Sequence, residues 1–488
     1  MVRPGNDNVC ELLVIGGGTA GLVAAKTAAG FRARVVLVER DRPGGDCLWT
    51  GCVPSKSLIA AASAAARIRQ SAALGVHASE VRIDFAEVTR HVHQAIRTIE
   101  PADSFDALRA AGVQVIAGHA VFTGPDAVQI NGGLVRFGQA LVATGAAPVV
   151  PDIPGLSASG FLTSETIWGL TDLPQRLVVL GGGTIGCELG QAFARLGSHV
   201  TLISRSERLL GREDPVAAEV VITSMLADGV EVLTAASAGS VTPSGVAGAG
   251  TIRLDDDREL PFDALLIASG RSPRTQGLGL EAAGIDIDDG GYIVVNDHLQ
   301  TTNQWAWAAG DVTGRSHHTH TAGVHGSLAA TNAVLGLKRA INTAAVPRVT
   351  FTSPELGAVG ASTDPAHVPA GGRVVSWSHA ELDRAVTQDQ RSGVTRLAID
   401  RKGRIVGATV VSPRAGETLG ELSLAIHHGM RTRDVASVTH AYPTYNDAVW
   451  NAAIRDVRRS LTSGMTSRAI GLLRSVRRLW VRWHRERR

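Results

Sequence analysis

Cysteine is scarce in this chain: Cys10, Cys47, Cys52 and Cys187 are the only four in 488 residues. So small a number excludes a secreted disulfide scaffold and points to a reducing, cytoplasmic compartment, where a retained thiol pair serves chemistry. Charge of one sign is lacking too. A net charge of +3 argues against a whole-chain nucleic-acid binder. No uncharged run reaches the roughly 20 residues of a membrane-spanning helix. The apolar start "LLVIGGGTAGLVAA" follows Asp7 and Glu11 and is interrupted by three glycines, unlike a signal-peptide core. Apolar residues are not lacking: a hydrophobic content of 44% with 55 glycines excludes disorder and suits an α/β protein with many tight strand-to-helix turns. A chain of 488 residues exceeds one core, at roughly 100–200 residues per domain.

Two stretches share one pattern. In "ELLVIGGGTAGLVAAKTAAG" a β-branched run meets Gly16, Gly18 and Gly21 and opens a helix, and the following strand "RVVLVER" ends in an acid, Glu39. The three glycines suit a tight turn, backbone approach to a pyrophosphate, and close helix-on-strand packing. Glu39 suits adenosine ribose hydroxyls. The pattern recurs at Gly181, Gly183 and Gly186 in "RLVVLGGGTIGCELG". Its second strand ends in Ser204-Arg205, with Arg208 and Arg212 following. Arginines there attract a 2′-phosphate, which an acid would repel, so the second site is expected to prefer NADPH over NADH; the plainer reading is a solvated loop. Two dinucleotide sites imply electrons passing between cofactors.

Half the cysteines fall in "GGDCLWTGCVPSK". The alanine-rich stretch after it reads as a helix beginning around Pro54, which places Cys52 near a helix N-terminus, where the dipole favours a thiolate. Residues five apart lie on different faces of a regular helix, so a Cys47–Cys52 disulfide requires a distorted turn of the kind Gly51 and the neighbouring glycines allow. Zinc is disfavoured because the chain has no second cysteine pair.

The ordered motifs "GGGTAG", "GGDCLWTGCVPSK", "ALVATGAAP", "GGGTIGCE", "ASGRSPRT", "AAGDV" and "FTSPELGAVG" resemble the class I pyridine nucleotide-disulphide oxidoreductases, in the pattern of mercuric reductases and dihydrolipoamide dehydrogenases. The resemblance implies an α/β fold with two Rossmann-like dinucleotide-binding domains, for FAD and NAD(P), and a C-terminal α+β dimerisation domain. The implied divisions are 8–155 and 271–340 for FAD, 156–270 for NAD(P), 345–456 for dimerisation, and a basic tail at 461–488. It implies that electrons pass from NADPH through FAD to a redox-active Cys47–Cys52 disulfide, and on to a disulfide, a thiophilic metal ion such as Hg(II), or a quinone. Cys52 becomes the flavin-side thiol and Cys47 the outer one. Lys56 lies near the flavin and pairs with Glu188; Asp311 takes the ribityl chain; Thr144, Gly145 and Gly270 join the cofactor-binding residues. Asp46 replaces the family's usual threonine, and its carboxylate opposes a thiolate at Cys47.

The family's disulfide-reducing members carry His-Pro-Thr-x-x-Glu, an acid/base dyad reaching the partner's cysteines. Here "THAYPTYND" puts Tyr442 at the histidine position and Asp447 at the glutamate position, with His440 either substituting as base or pointing to solvent. Tyrosine, with a reference pKa near 10, is a poor proton shuttle at neutral pH. The alternative to an enzyme is a slow-turnover, FAD-binding redox sensor or membrane-associated scaffold. His317, His318, His320 and His325 are expected to pack beside the flavin rather than to bind metal.

A homodimer follows from the resemblance. Beyond the family's usual end, "SRAIGLLRSVRRLWVRWHRERR" repeats Ile470, Leu472, Leu473, Val476, Leu479, Trp480 and Trp483 at helical spacing. Arg474, Arg477, Arg478, Arg482 and Arg485 flank them, with Glu486 as the only acid. This fits a helix lying on an anionic membrane, at the inner membrane face, or one docked on the protein or its dimer partner.

Overall fold

A computed structural model of the chain describes residues 9–246, 248–462 and 464–487. Asp7, the boundary residue Asn8 and the tail's Arg488 lie outside the described residues. Contacts divide the chain into two compact units, one running through Leu209 and including Met225–Asn342, the other comprising Leu210–Ser224 and Thr343 onward.

The first unit holds two open sheets. Parallel strands are buried on both faces and so read as unbroken apolar runs. Leu12, Leu13 and Val14, like Leu177 and Val179, are accordingly 0% exposed. In the first sheet β1 (Cys10–Ile15), α1 (Thr19–Gly30) and β2 (Val35–Glu39) form a βαβ unit, with Leu12 beside Val35. The cysteine stretch follows as α2 (Gly45–Trp49) and α3 (Cys52–Gln70). Strands β3 (Gln114–Ala117), β4 (Ala120–Gly124), β5 (Ala127–Ile130) and β6 (Gly133–Val142) complete the order β3-β2-β1-β6-β5-β4.

The second sheet repeats the plan with β7 (Leu162–Thr163), β8 (Arg176–Leu180), α4 (Thr184–Leu196), β9 (His199–Ile203), β10 (Glu231–Leu233) and β11 (Ala264–Ile267), in the order β10-β9-β8-β11-β7. The chain then returns to the first sheet. There β12 (Ala306–Ala308) joins β6 in parallel, and α5 (Thr319–Leu335) packs its alanines against those of α1 in one core. Both glycine turns thus open at the carboxyl ends of parallel strands, the usual place for ligands in such sheets.

In the second unit β13 (Pro347–Thr350), β14 (Glu355–Gly360), β15 (Arg373–Ser378), β16 (Val394–Ile399) and β17 (Ile405–Ser412) form an antiparallel sheet, ordered β13-β14-β17-β16-β15. Helices α6 (Ala415–His427) and α7 (Asp447–Leu461) share its core, which includes Leu397, Val410, Leu419, Leu422 and Val449. Asp456, 2% exposed, is held by Arg373 Nε at 2.6 Å and Thr432 Oγ1 at 2.7 Å. A last helix, α8 (Gly464–Glu486), follows. No described helix is long and apolar enough to cross a membrane.

Candidate active site

The glycines at the two turns have separable causes. Gly16 and Gly181 adopt φ of +104° and +132°, a region side chains rarely enter. A Cβ on Gly21 would stand 1.9 Å from the Gly16 carbonyl oxygen, and one on Gly186 1.9 Å from that of Gly181. Helix α1 can approach β1, and α4 approach β8, only without those side chains. Gly18 and Gly183 differ: they cap α1 and α4 with no side-chain hydrogen bond, a Cβ on Gly183 would meet nothing within 4 Å, and one on Gly18 only Gly45 Cα at 3.8 Å. The protein does not crowd them, and exposed helix N-terminal N–H groups facing open space fit a pyrophosphate. Gly145 and Gly270 likewise face open space, at φ +72° and +138°. At the end of β2 Glu39 accepts hydrogen bonds from the Gly17 and Asp41 backbones, at 2.5 and 2.8 Å. Arg205, just past β9, is exposed.

The cysteine loop lies against the first turn. Gly44 N–H donates to the Gly17 carbonyl at 2.9 Å, and a Cβ on Gly45 would come within 2.6 Å of Gly18 Cα. Cys47 sits in α2 and Cys52 opens α3, with Thr50 and Gly51 breaking the helix between them. The second helix therefore starts two residues before the expected Pro54. Proline is tolerated anywhere in a first turn, whose N–H groups have no intrahelical acceptor, so it marks the turn rather than its first residue.

Both cysteines are free thiols that share a hydrogen bond. The bond from Cys47 lowers Cys52 to a pKa of about 6; burial opposes this, while Thr319 and Lys56 assist. The same bond, with burial, raises Cys47. The negative charge is thereby favoured at Cys52 and the proton at Cys47. Cys10 and Cys187, buried in the core, are pushed up to about 11 and 12, so neither competes. Lys56 Nζ lies 2.8 Å from Glu188 Oε2, and Glu188 is 5% exposed.

The expected conflict between Asp46 and a thiolate has a counterweight that the loop's sequence does not contain. Arg271 Nη2 donates to Asp46, and Arg274 Nη1 reaches it at 3.4 Å. Arg274 continues to Glu165 at 2.5 Å, and Arg271 Nε lies 3.6 Å from Asp311. Burial raises the Asp311 carboxyl, against Arg271 and against His317 at 3.9 Å. Thr319, whose Oγ1 lies 3.2 Å from Cys52 Sγ, was not singled out from the sequence. It is separated from Cys52 by 267 positions, and no local pattern marks it. The two arginines had a signal, since both lie in "ASGRSPRT" immediately after Gly270. Thr144 bonds the Arg274 carbonyl at 2.8 Å.

The histidines after Asp311 divide. His317 faces Asp311 and Tyr292, His318 bonds Ser316 and stacks on His320, and His325 is 5% exposed in α5, with its pKa lowered by burial and Arg315. Among the described residues no three His, Cys, Asp or Glu side chains gather as a metal-ligand cluster.

The sequence model for pyridine nucleotide-disulphide oxidoreductases matches residues 10–326, and the model for their dimerisation domain matches residues 346–453. The chain belongs to the pyridine nucleotide-disulphide oxidoreductases. Members of this family use FAD and NAD(P)H, and the chain is an NAD(P)H-dependent flavoprotein oxidoreductase of mercuric reductase-like type. It is 35% identical to a mercuric reductase of Streptomyces lividans, over 91% of this chain and 95% of that one. A dihydrolipoyl dehydrogenase of Geobacillus stearothermophilus is 32% identical over the same shares. Among solved structures, LpdA of Mycobacterium tuberculosis superposes with a TM-score of 0.83 at 29% identity, covering 92% of this chain and 99% of that one. The HOCl-induced flavoprotein disulfide reductase RclA of Escherichia coli, as a Cu(II) complex, gives 0.82 at 27% identity, covering 91% and 99%.

Within the oxidoreductase's dimerisation domain the expected acid/base residues do not form one dyad. Tyr442, 72% exposed, donates to Asp383 at 2.6 Å, and that bond raises its pKa. Asp447 accepts from the Thr444 backbone at the start of α7, at 2.9 Å, and serves there as a helix-end acceptor. His440 does not point to solvent, for its side chain is 9% exposed. Its Nε2 meets Glu421 at 2.7 Å and its Nδ1 the Val438 carbonyl at 3.0 Å. Burial depresses the His440 pKa, but those two bonds outweigh it and leave the pKa above its ordinary value.

Proposed function

We propose that this oxidoreductase takes two electrons from NADPH and, with FAD bound, delivers them to a Cys47–Cys52 disulfide, whose dithiol then captures a thiophilic metal ion such as Hg(II) as acceptor. The observation that carries this reading is the split thiol pair: Cys52 lowered to about 6, Cys47 raised, both in one loop against the first dinucleotide turn. Bound FAD and nicotinamide would supply the electron relay. The chain's own groups hold the charges: Lys56, fixed by Glu188, stabilises the Cys52 thiolate, and Arg271 with Arg274 neutralises Asp46 beside Cys47. Glu39, Thr144, Gly145, Gly270 and Asp311 would hold FAD, and Arg205 the 2′-phosphate of NADPH.

The metal ion is favoured over a disulfide because thiol exchange needs a proton for each leaving thiolate. Both His440 ring nitrogens are engaged, and Tyr442 is held as a phenol by Asp383. A thiophilic ion needs only the two sulfurs: the proton of Cys47 leaves as the ion binds, and the two electrons pass to the ion as the sulfurs rejoin, so that Hg(II) leaves as Hg(0). The dimerisation-domain match supports a homodimer, and the scarcity of cysteine supports a cytoplasmic enzyme.

Anaerobic NADPH oxidation with Hg(II), glutathione disulfide, lipoamide and benzoquinone tests the acceptor. Hg(II) should give the fastest turnover, lost on Cys47→Ser; faster turnover with either disulfide overturns the metal reading. The Arg205→Glu variant should lower kcat/KM for NADPH by about 10- to 100-fold, since one charge-assisted bond is worth about 1.5–3 kcal/mol. Equal use of NADPH and NADH by the parent would sink the nucleotide assignment.

A further inference from the structure

Helix α8 runs 23 residues and leaves its apolar side bare. Leu472, Leu473, Val476, Leu479, Trp480 and Trp483 are 48–68% exposed, and no described residue covers them. At 3.6 residues per turn these six share one stripe. Ile470, expected to belong to it, falls instead on the opposite face between Arg474 and Arg477. That opposite face is basic, carrying Arg474, Arg477, Arg478, Arg482 and Arg485, with Glu486 the only acid in the helix. Trp483 lies near the middle of the stripe and Trp480 toward its Arg477 side. Arg477 sits 4.1 Å over the Trp480 ring and Arg487 4.0 Å over that of Trp483. The segment lies outside the match to the dimerisation domain, which ends at residue 453, so the family's interface does not account for it.

We propose that α8 lies flat on an anionic lipid surface, with the Leu472–Trp483 stripe among the acyl chains and the arginines among headgroup phosphates. Three features select this partner. The helix, at 23 residues, has the length to span but not the apolarity, while an apolar stripe beside a basic face is what interfacial binding requires. Tryptophan, apolar with one polar N–H, suits the headgroup boundary. A second copy would cover the stripe but give the five arginines of the opposite face no counter-charge. Nucleic acid would satisfy the arginines but leave two tryptophans and three leucines in water. The inference is independent of which acceptor the enzyme uses.

The test is co-sedimentation of the full chain, as purified, with vesicles of phosphatidylcholine containing phosphatidylglycerol and with vesicles of phosphatidylcholine alone. The chain should pellet with the anionic vesicles only, and raised salt should release it. Combined Arg474→Gln, Arg478→Gln and Arg482→Gln changes should weaken partitioning on the order of 100-fold, at roughly fivefold per arginine. Trp480→Ser with Trp483→Ser should also abolish pelleting, while both variants keep the parent's NADPH oxidation rate. Equal pelleting with the two vesicle types, or no change in either variant, overturns the proposal. So does a lipid-free higher oligomer, seen by light scattering, that the tryptophan changes dissolve. Binding to duplex DNA that survives the tryptophan changes and displaces the vesicles overturns it equally.

Discussion

Cys52 owes its character to three helices: the start of its own, which also carries Lys56 one turn on, α2 with the Cys47 thiol, and α5 with Thr319 at its start. A thiolate reacts and a thiol does not, so the reactivity of the reduced protein toward iodoacetamide should rise through pH about 6 and level off above it. Cys52→Ser should remove that phase. Cys10 and Cys187, held near 11 and 12 by burial, should stay silent throughout. A profile centred on the ordinary thiol value of about 8.5 would show that the pair is not polarised. Asp46 belongs to the same scale. Its carboxylate is compatible with a neighbouring thiolate because Arg271 and Arg274 meet it, and a loop read alone shows the acid without its partners.

The two βαβ turns are elements whose glycines act at different depths. Gly21→Ala places a methyl group against the Gly16 carbonyl oxygen and should drive α1 from β1, so the purified variant should hold less than a tenth of the parent's flavin per chain. Gly186→Ala does the same between α4 and β8. It should keep flavin absorbance but raise the KM for NADPH at least tenfold. Loss of flavin in the second variant, or its retention in the first, would reverse the assignment of the turns. Both turns were legible in the sequence because the apolar runs, the glycine spacing and the strand-end residues are local signals. The cysteine helix was legible to within two residues, since proline marks a first turn without numbering it. What stayed hidden was pairing across the chain. Glu421 as the partner of His440, and Asp383 as that of Tyr442, depend on which strands and helices lie side by side, and no spacing in "THAYPTYND" encodes them.

For the whole molecule, the match at residues 346–453 sets the expectation of paired chains. Light scattering should give the mass of two chains rather than one, and Trp480→Ser with Trp483→Ser should leave that mass unchanged, since α8 lies beyond the matched domain. A monomer would leave the exposed Tyr442 without the second chain toward which the family's dyad is directed. The bond from Gly44 N–H to the Gly17 carbonyl makes the first dinucleotide turn and the thiol loop one mechanical piece. Linkage then runs both ways: if the turn is arranged differently when the sulfurs are joined and when they are apart, filling the turn must shift the midpoint potential of the pair by the same free energy. The cofactor and the dithiol are thereby held to a common thermodynamic cycle, and the affinity of the turn in each redox state fixes how readily the sulfurs give up their electrons.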